Sequence, residues 1–484
     1  MGISGALANA VSGLRAASRG AAVVSSNISN ALTPGYGARE LSLSSAVGGG
    51  TGGVMVNGVT RHANASLATD RRLADAAHMD FSARADFLAR LSDVMGTPDN
   101  PASLTARLSE MESKLVMAAS RPDANERLIA VVIAARDVAT AFAKTSEAIQ
   151  DARTQADRTI SIEVNRLNND LVQVKSLNKK ITVSRARNQD TSSLLDQRQQ
   201  VIDRIGTLVP IREVARDNGA VALYTTGGAV LLDGRVATVG FEPVNLVTAE
   251  MSMEAGSLSG LTIDGQPIRS EGDRGPLSGG SIGAQFAVRD SLGTQAQAEL
   301  DAMARDLIER FQGMGADSTR GPTDPGLLTD RGAVFDAAEE VGIAGRMALN
   351  ANVDPDAGGE AWRLRDGLNA VTRGDVGDAT LLRAFGAALT GDRAPVTGAR
   401  AGTALSALGL ASSVVSDLNV RQADTERKLS FAAVSLTALT EQQLAEGVNS
   451  DSEIQRLMMI EQAYAANARV VETVDEMMQT ILRI

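Results

Sequence analysis

The side chains of this sequence that could do chemistry are few, and none has a partner at a useful spacing. His62 and His78 are the only histidines. Sixteen positions apart and outside any metalloprotease motif, they match none of the short helical spacings that place two imidazoles on one ion, so both read as ordinary surface or packed histidines. Ser176 and Lys179 reproduce the bare serine-x-x-lysine spacing of a nucleophile with its base. They lie inside a predicted continuous helix without the accompanying motifs, a chance match. Asp354, Asp356 and Gly359 imitate a calcium loop, but its third ligand position is Gly358 and its twelfth is Arg365, where a bidentate glutamate is needed. Trp362, the sole tryptophan, could mark a ligand pocket; lacking convergent polar groups, it reads as a core aromatic. There is no cysteine, which excludes thiolate catalysis, disulfides and thiolate metal sites. With no phosphate-binding glycine motif and no nucleophile elbow, the expectation is no catalytic, cofactor-binding or metal site, and hence no enzyme.

The elements around these residues point to architecture. The chain has 484 residues, room for several modules, with 44% hydrophobic and 22% charged residues, a globular balance. A formal net charge of -11 argues against a general nucleic-acid binder, whose phosphate contacts need a basic footprint. No run of eighteen uncharged apolar residues predicts membrane insertion, and Met1 to Ala10 lacks the basic-then-apolar pattern of a cleavable signal. Export would then use another route.

The two ends read alike. Ile3, Leu7, Ala10, Leu14, Ala17, Ala21, Val24 and Ile28 recur at alternating intervals of four and three, a coiled-coil-compatible helical stripe. Leu457, Ile460, Tyr464, Asn467, Val471, Val474, Met478 and Ile481 repeat the rhythm, so the ends can pair as helices. Asn467 either turns inward, needing a hydrogen-bond partner, or is rotated toward solvent, the reading preferred here. The alanines of the first stripe permit close approach but bury little apolar area, so this helix benefits from several neighbours. It should stop near Asn30, since Thr33-Pro34-Gly35-Tyr36 is a strong turn signal. Beyond it an extended, turn-rich segment is expected: Leu41 and Leu43 alternate, Gly48 to Gly53 break regularity, and Val54, Val56 and Val59 look strand-like around Asn57-Gly58.

Helical spacing resumes from Ala68 to Met95 and from Ser103 to Ala119. Neither glycine nor proline occurs between Asp123 and Ile205, which predicts long helices there. At least one bend is expected because Asn168, Asn169 and Asn178 weaken helix propensity. Short strand patterns at Val221-Leu223, Val230-Leu232 and Leu261-Ile263, with turn signals at Asp233-Gly234 and Asp264-Gly265, predict a β-rich region. Gln295 to Phe311 is helical again, and a long weak face runs from Ala401 to Leu444. Gly447 to Ser450 breaks it, with Asp451-Ser452 as the expected cap of the last helix. The fold class is therefore multidomain α+β: paired terminal helices and a long helical bundle or coiled-coil stalk, with one or more β-rich outer domains inserted in the middle. Residues 1–66 and 446–484 are read as a terminal assembly region, 67–205 and 401–445 as the helical stalk, 206–294 as a β-rich outer domain and 295–400 as a mixed second outer region.

Ser26-Asn27-Ile28-Ser29-Asn30-Ala31-Leu32-Thr33-Pro34-Gly35-Tyr36 resembles the amino-terminal signature of flagellar rod, hook and hook-associated proteins. Gly447-Val448-Asn449, followed by Ile460-Glu461-Gln462-Ala463-Tyr464-Ala465-Ala466-Asn467-Ala468-Arg469-Val470, resembles their carboxy-terminal one. Gly37, where that family often has serine, and Ser450 and Ser452, where leucine and an acidic residue are usual, depart from the pattern. The long helical segment after the amino-terminal region is most similar to the family's hook-filament junction subunits. The resemblance implies a non-enzymatic structural subunit, without cofactor, exported by the flagellar type III route to the outside of the cell. Its implied partners are copies of itself in a ring, hook protein, a second junction protein, and an export chaperone at the carboxy-terminal helix. The implied assembly residues are Ile3, Leu7, Leu14, Val24, Asn27, Ile28, Asn30, Thr33, Pro34, Gly35 and Tyr36 at one end. At the other they are Gly447, Val448, Asn449, Leu457, Ile460, Gln462, Ala463, Tyr464, Asn467, Ala468, Arg469, Val471 and Met478. Tyr36 is read as packing at a layer or subunit boundary, with an internal turn cap as the other possibility. A hook or distal-rod subunit, and an extracellular adhesin or binding module with a polymerising anchor, are the alternatives.

Overall fold

A computed structural model describes residues 2–33, 35–46, 52–97, 99–270 and 275–483. Pro34 and most of the glycine run from Gly48 lie outside the described residues. The first helix, α1 (Ile3–Ser29), ends at Asn30 as its sequence predicts, and a hairpin follows of β1 (Ala38–Ser45) and β2 (Val54–His62). Asn57-Gly58 lies inside β2 and turns nothing; the register shifts opposite it, between Ser42 and Leu43. Asn57 is the extra, unpaired residue of a bulge, and Gly58 beside it takes a φ of 149°.

Two antiparallel helix pairs carry the chain out and back. α2 (Ala65–Met95) is capped by Asn64, whose Oδ1 accepts from Leu67 N at 3.1 Å. It packs along α11 (Ala407–Ala445), with Asn64 bonded to Glu446 near one end and Ser92 to Asn419 near the other. The terminal helix α12 (Ser450–Arg483) returns against α1. Its cap is Asn449, whose side chain accepts from Ser452 N at 3.0 Å; the expected capping pair Asp451-Ser452 begins two residues too late.

Between the pairs stands α4 (Asn125–Ala186), about 93 Å of helix at 1.5 Å per residue. It runs unbroken through Asn168, Asn169 and Asn178, and the expected break falls later, at Arg187 and Asn188, before α5 (Ser192–Leu208). Its first half buries Leu128, Val131, Val138 and Phe142 against α3 (Leu104–Ser120), α7 (Gly293–Gln312) and the short α8 (Ile343–Arg346), and α9 (Arg363–Asp366), α10 (Thr380–Thr390) and the start of α11 complete the same core. Trp362 is a member of that core, as its sequence reading has it. The second half buries Ile160, Leu167, Leu171 and Val174 against α5, α6 (Gly280–Ala287) and a set of short strands.

Those strands form the meander β3 (Ile211–Ala215), β4 (Val221–Thr225), β5 (Val230–Asp233) and β6 (Arg235–Val236), and the small sheet β7 (Val239–Gly240), β8 (Thr262–Ile263) and β9 (Gln266–Pro267). They share one core with α4 and α5. The molecule is thus mostly helical, with paired helices at its ends and small sheets inserted in the middle.

The mid-helix asparagines explain the missing bend. Asn168 donates to Val239 O at 2.7 Å and accepts from Val239 N at 2.9 Å; Asn178 treats Val221 the same way, at 2.8 and 3.2 Å. Each carboxamide stands in for one residue of a neighbouring strand, satisfying an edge that would otherwise be open. Their cost to helix propensity, a few tenths of a kcal/mol each, is small beside two hydrogen bonds.

Candidate assembly interface

Alanine and glycine on α1 set how closely α12 can approach, and the contacts define a register. A Cβ at Gly13 would lie 2.7 Å from the Asn467 side chain, and one at Gly20 would lie 3.0 Å from Ile460 Cδ1. One heptad further on, Asn27 bonds Glu453 at 3.1 Å. The helices therefore meet antiparallel in layers 13/467, 20/460 and 27/453, with the backbones close because glycine occupies two of them. Asn467 is neither buried nor free: half-exposed, it presses on Gly13 and donates to Ala463 O of its own helix at 2.8 Å.

On α1, Val24 is buried, and Ile3, Leu7, Leu14 and Ile28 are half-buried. On α12, Leu457, Ile460, Ala468 and Val471 are half-buried and Val474 is buried, while Gln462, Ala463 and Arg469 face outward. Tyr464 and Met478 keep 49% and 47% of their surface, so within one chain this part of the stripe has little to pack against. Ile454, Met458, Met459, Met477, Ile481 and Leu482 are also exposed.

At the layer 27/453 a polar knot ties the helix pair to the hairpin. Asn27, fully buried, donates to Arg39 O at 2.8 Å and to Glu453 Oε2, and accepts from Arg39 N at 3.0 Å and from the Tyr36 hydroxyl at 2.8 Å. Every hydrogen-bonding position of the carboxamide is used, again with both backbone groups of one strand residue. Tyr36 also lies within 3.2 Å of Ser26 Oγ, with the Arg39 guanidinium 4.8 Å from its ring centroid. Within the chain, then, Tyr36 caps the turn. Asn30 bonds Ser26 O at 2.9 Å, Thr33 bonds Asn30 at 3.3 Å, and Gly35 holds a φ of 79° that other residues rarely adopt.

A second knot joins the hairpin to the helical body. Asp196 of α5 accepts from Arg39 at 2.8 Å, from Arg61 at 2.7 Å and from the Gly37 amide at 3.1 Å. Gly37 is buried, and a Cβ there would meet the Arg61 side chain at 2.6 Å, so Arg61 fills the space a serine would need. Gly447 and Val448 are half-buried at the start of the return path, before the Asn449 cap. Sequence reasoning missed Asp196, Arg39, Arg61 and Glu453, whose partners lie far away along the chain. For Gly13 and Gly20 a signal existed: two glycines seven apart inside a predicted helix mark a close approach.

The residues first weighed for chemistry are placed otherwise. His62 lies 3.3 Å from Glu40 at the exposed end of the hairpin. Ser176 and Lys179 are exposed on α4. Asp354 and Asp356 are both ion-paired with Arg136. Among the described residues no group of three or more histidine, cysteine, aspartate or glutamate side chains could hold a metal ion. No helix of the described residues is long and apolar enough to cross a membrane.

Paired terminal helices, a capped turn into a hairpin, and a middle inserted between them are what the resemblance to flagellar axial subunits leads one to expect. Comparison with known proteins agrees at both ends: residues 7–36 match the flagella basal body rod protein family, and residues 445–484 match the carboxy-terminal region of the flagellar basal body rod FlgEFG proteins. Residues 88–321 match the helical domain of the flagellar hook-associated protein FlgK. Flagellar hook-associated protein 1 of Escherichia coli is 25% identical over the whole of both chains, and that of Bacillus subtilis 23% over 94% of this chain and 93% of its own. A solved structure of the flagellar hook junction protein FlgK from Burkholderia pseudomallei, 19% identical, superposes with a TM-score of 0.43 over 54% of this chain and 46% of that one. The chain is thus similar over its whole length to flagellar hook-associated protein 1, with its two ends and its helical body each matching a flagellar family model. It is a structural component of the flagellum, and the family is not enzymatic.

Proposed function

We infer that this chain is a structural subunit of the junction between flagellar hook and filament, outside the cell. The observation that carries the reading is the α1/α12 pair, in which the buried residues of α1 are mostly alanine and glycine while the outer face of α12 keeps Met458, Met459, Tyr464, Met477, Met478 and Leu482 exposed. A pair with so little apolar area of its own and so much on its outside gains most from neighbouring copies. The assembly residues at both ends would meet those copies in a ring. In that ring the terminal helices line an inner tube, the helical body forms an intermediate layer, and the strands on the second half of α4 face outward. Hook protein on one side and a second junction protein on the other are the partners proposed, with an export chaperone covering α12 before assembly. The match of a helical domain over residues 88–321 favours the junction over a hook or distal-rod subunit, with which only the termini are shared.

The test is position. Tagged protein in partly assembled flagella should label a short zone at the distal end of the hook. Labelling along the whole hook makes the chain a hook subunit, and labelling along the rod rejects both placements.

A further inference from the structure

The second knot borders a cavity of about 160 Å³ that assembly through the terminal helices does not use. It lies where the base of the hairpin, the start of α2, α5 and the end of α11 converge, and Arg72, Arg198, Gln199 and Glu446 are among its walls. Arg198 is 8% exposed, and among the described residues no carboxylate lies within ion-pair distance of it. Its Nη1 donates only to neutral oxygens, Asn178 Oδ1 at 2.9 Å and Gly219 O at 2.6 Å. Arg72 is 1% exposed; Asp203 takes its Nε at 2.7 Å and Glu213 its Nη1 at 3.1 Å, but its Nη2 is buried without a partner. A buried guanidinium normally has an anion and its donors are normally used. Here two arginines on one cavity wall both fall short.

We propose that this cavity is a binding site for a small oxyanion, a phosphate or a carboxylate, held by Arg198 and Arg72. The forked guanidinium matches either oxyanion with paired donors, and a polar cavity of this size accommodates one with residual water. Burial pushes the Arg198 guanidinium down to about 10; Glu213, which also lines the cavity, pulls the other way, while Arg185, Arg61 and Arg72 add to the downward push. Glu446 is held by Asn64 at 2.9 Å and by Gln442 at 3.2 Å, and its carboxylate opposes an entering anion. An anion bound here touches the hairpin base, α2, α5 and the return path together, so occupancy stiffens the link between the terminal helices and the body.

The test titrates the full chain with inorganic phosphate, followed by its phosphorus NMR line width, and separately with acetate by calorimetry, both at ionic strength held constant with chloride. Saturable binding of either is expected, with Arg198→Gln weakening it at least about tenfold, the loss of one good charge-assisted hydrogen bond. Glu446→Gln, on the exposed end of α11, leaves the core untouched and should tighten binding severalfold, so the proposal stays testable if the arginine variant fails to fold. Phosphate saturating where acetate does not, or the reverse, supports the site and identifies the oxyanion. No saturable response in either the natural chain or the Glu446→Gln variant overturns it and leaves the arginines merely hydrated. A folded Arg198→Gln variant that binds as well as the natural chain also overturns it.

Discussion

Replacing Asp196 with alanine should uncouple the terminal helices and hairpin from the helical body while leaving the body folded. Asp196 is a single carboxylate with three donors, and its side chain is 11% exposed beside Arg39 at 17% and Arg61 at 12%. Each charge-assisted hydrogen bond in such a place is worth about 1.5–3 kcal/mol, and an orphaned amide at Gly37 costs about 1 kcal/mol or more. Part is recovered, because Arg61 keeps Gly35 O at 3.2 Å and Arg39 keeps the Tyr36 ring. About 4 kcal/mol remains, a factor of roughly a thousand in the population of chains whose hairpin has left α5. Spin labels at Gln462 on α12 and Ser176 on α4, both exposed, read this as a distance distribution. It should be narrow in the natural chain and broad in the variant, with hydrogen exchange at Gly37 accelerated and the α4–α7 core as protected as before. A narrow distribution in the variant, or equal loss of protection in α4 and at Gly37, refutes the reasoning that this knot is the local link.

Asn27→Ala should destabilise the α1–hairpin–α12 unit by about 3 kcal/mol, since it strands both backbone groups of Arg39 and one oxygen of Glu453 in a buried place; exchange at the Arg39 amide measures it. Phe142→Ala, on a fully buried ring, should cost about 3–5 kcal/mol in denaturant unfolding of the whole body, with no separate early transition. Burial holds the Asp301 carboxyl up at about 6, despite amide hydrogen bonds from Ala344 and Gly342. Its folded value lies above its ordinary one of 3.8, so the folded chain binds the extra proton and this group's contribution to stability falls as pH rises from about 4 to 6, by about 3 kcal/mol at most. Urea unfolding across that window should show Asp301→Asn lacking this fall relative to the natural chain, and parallel curves contradict it.

What the sequence makes legible here is what depends on neighbours along the chain. The stop of α1 at Asn30, the stripe on α12 and the helices after Asp123 follow from periodicity, and glycine and proline mark most of the breaks. The errors come from side chains whose partners are distant. Asn168 and Asn178 weaken a helix taken alone, yet here each clamps a strand seventy-one or forty-three residues away. Asn57-Gly58 is a turn signal in isolation, but pairing across a bulge holds it inside β2. The cap of α12 was misplaced by two residues because Asn449, Asp451 and Ser452 are all good capping types, and only the backbone path selects among them. At the candidate interface the motif residues were legible through resemblance. Asp196 and Glu453 were not, because a lone acid on a helix carries no mark of the arginine or asparagine it will meet.

The central claim is that the terminal helix pair is the assembling element and the inserted middle is not. Purified chain lacking residues 454–484 should keep the protease-resistant middle of the intact protein, since none of the described residues of that segment belongs to either large core. Added from outside to hooks of cells without the protein, where export and chaperone binding play no part, the intact chain should cap the hooks and allow filament attachment while the truncated chain does neither. A truncated chain that caps those hooks as tightly as the intact one and supports a filament contradicts the assembly role of Leu457, Ile460, Tyr464, Val471 and Met478.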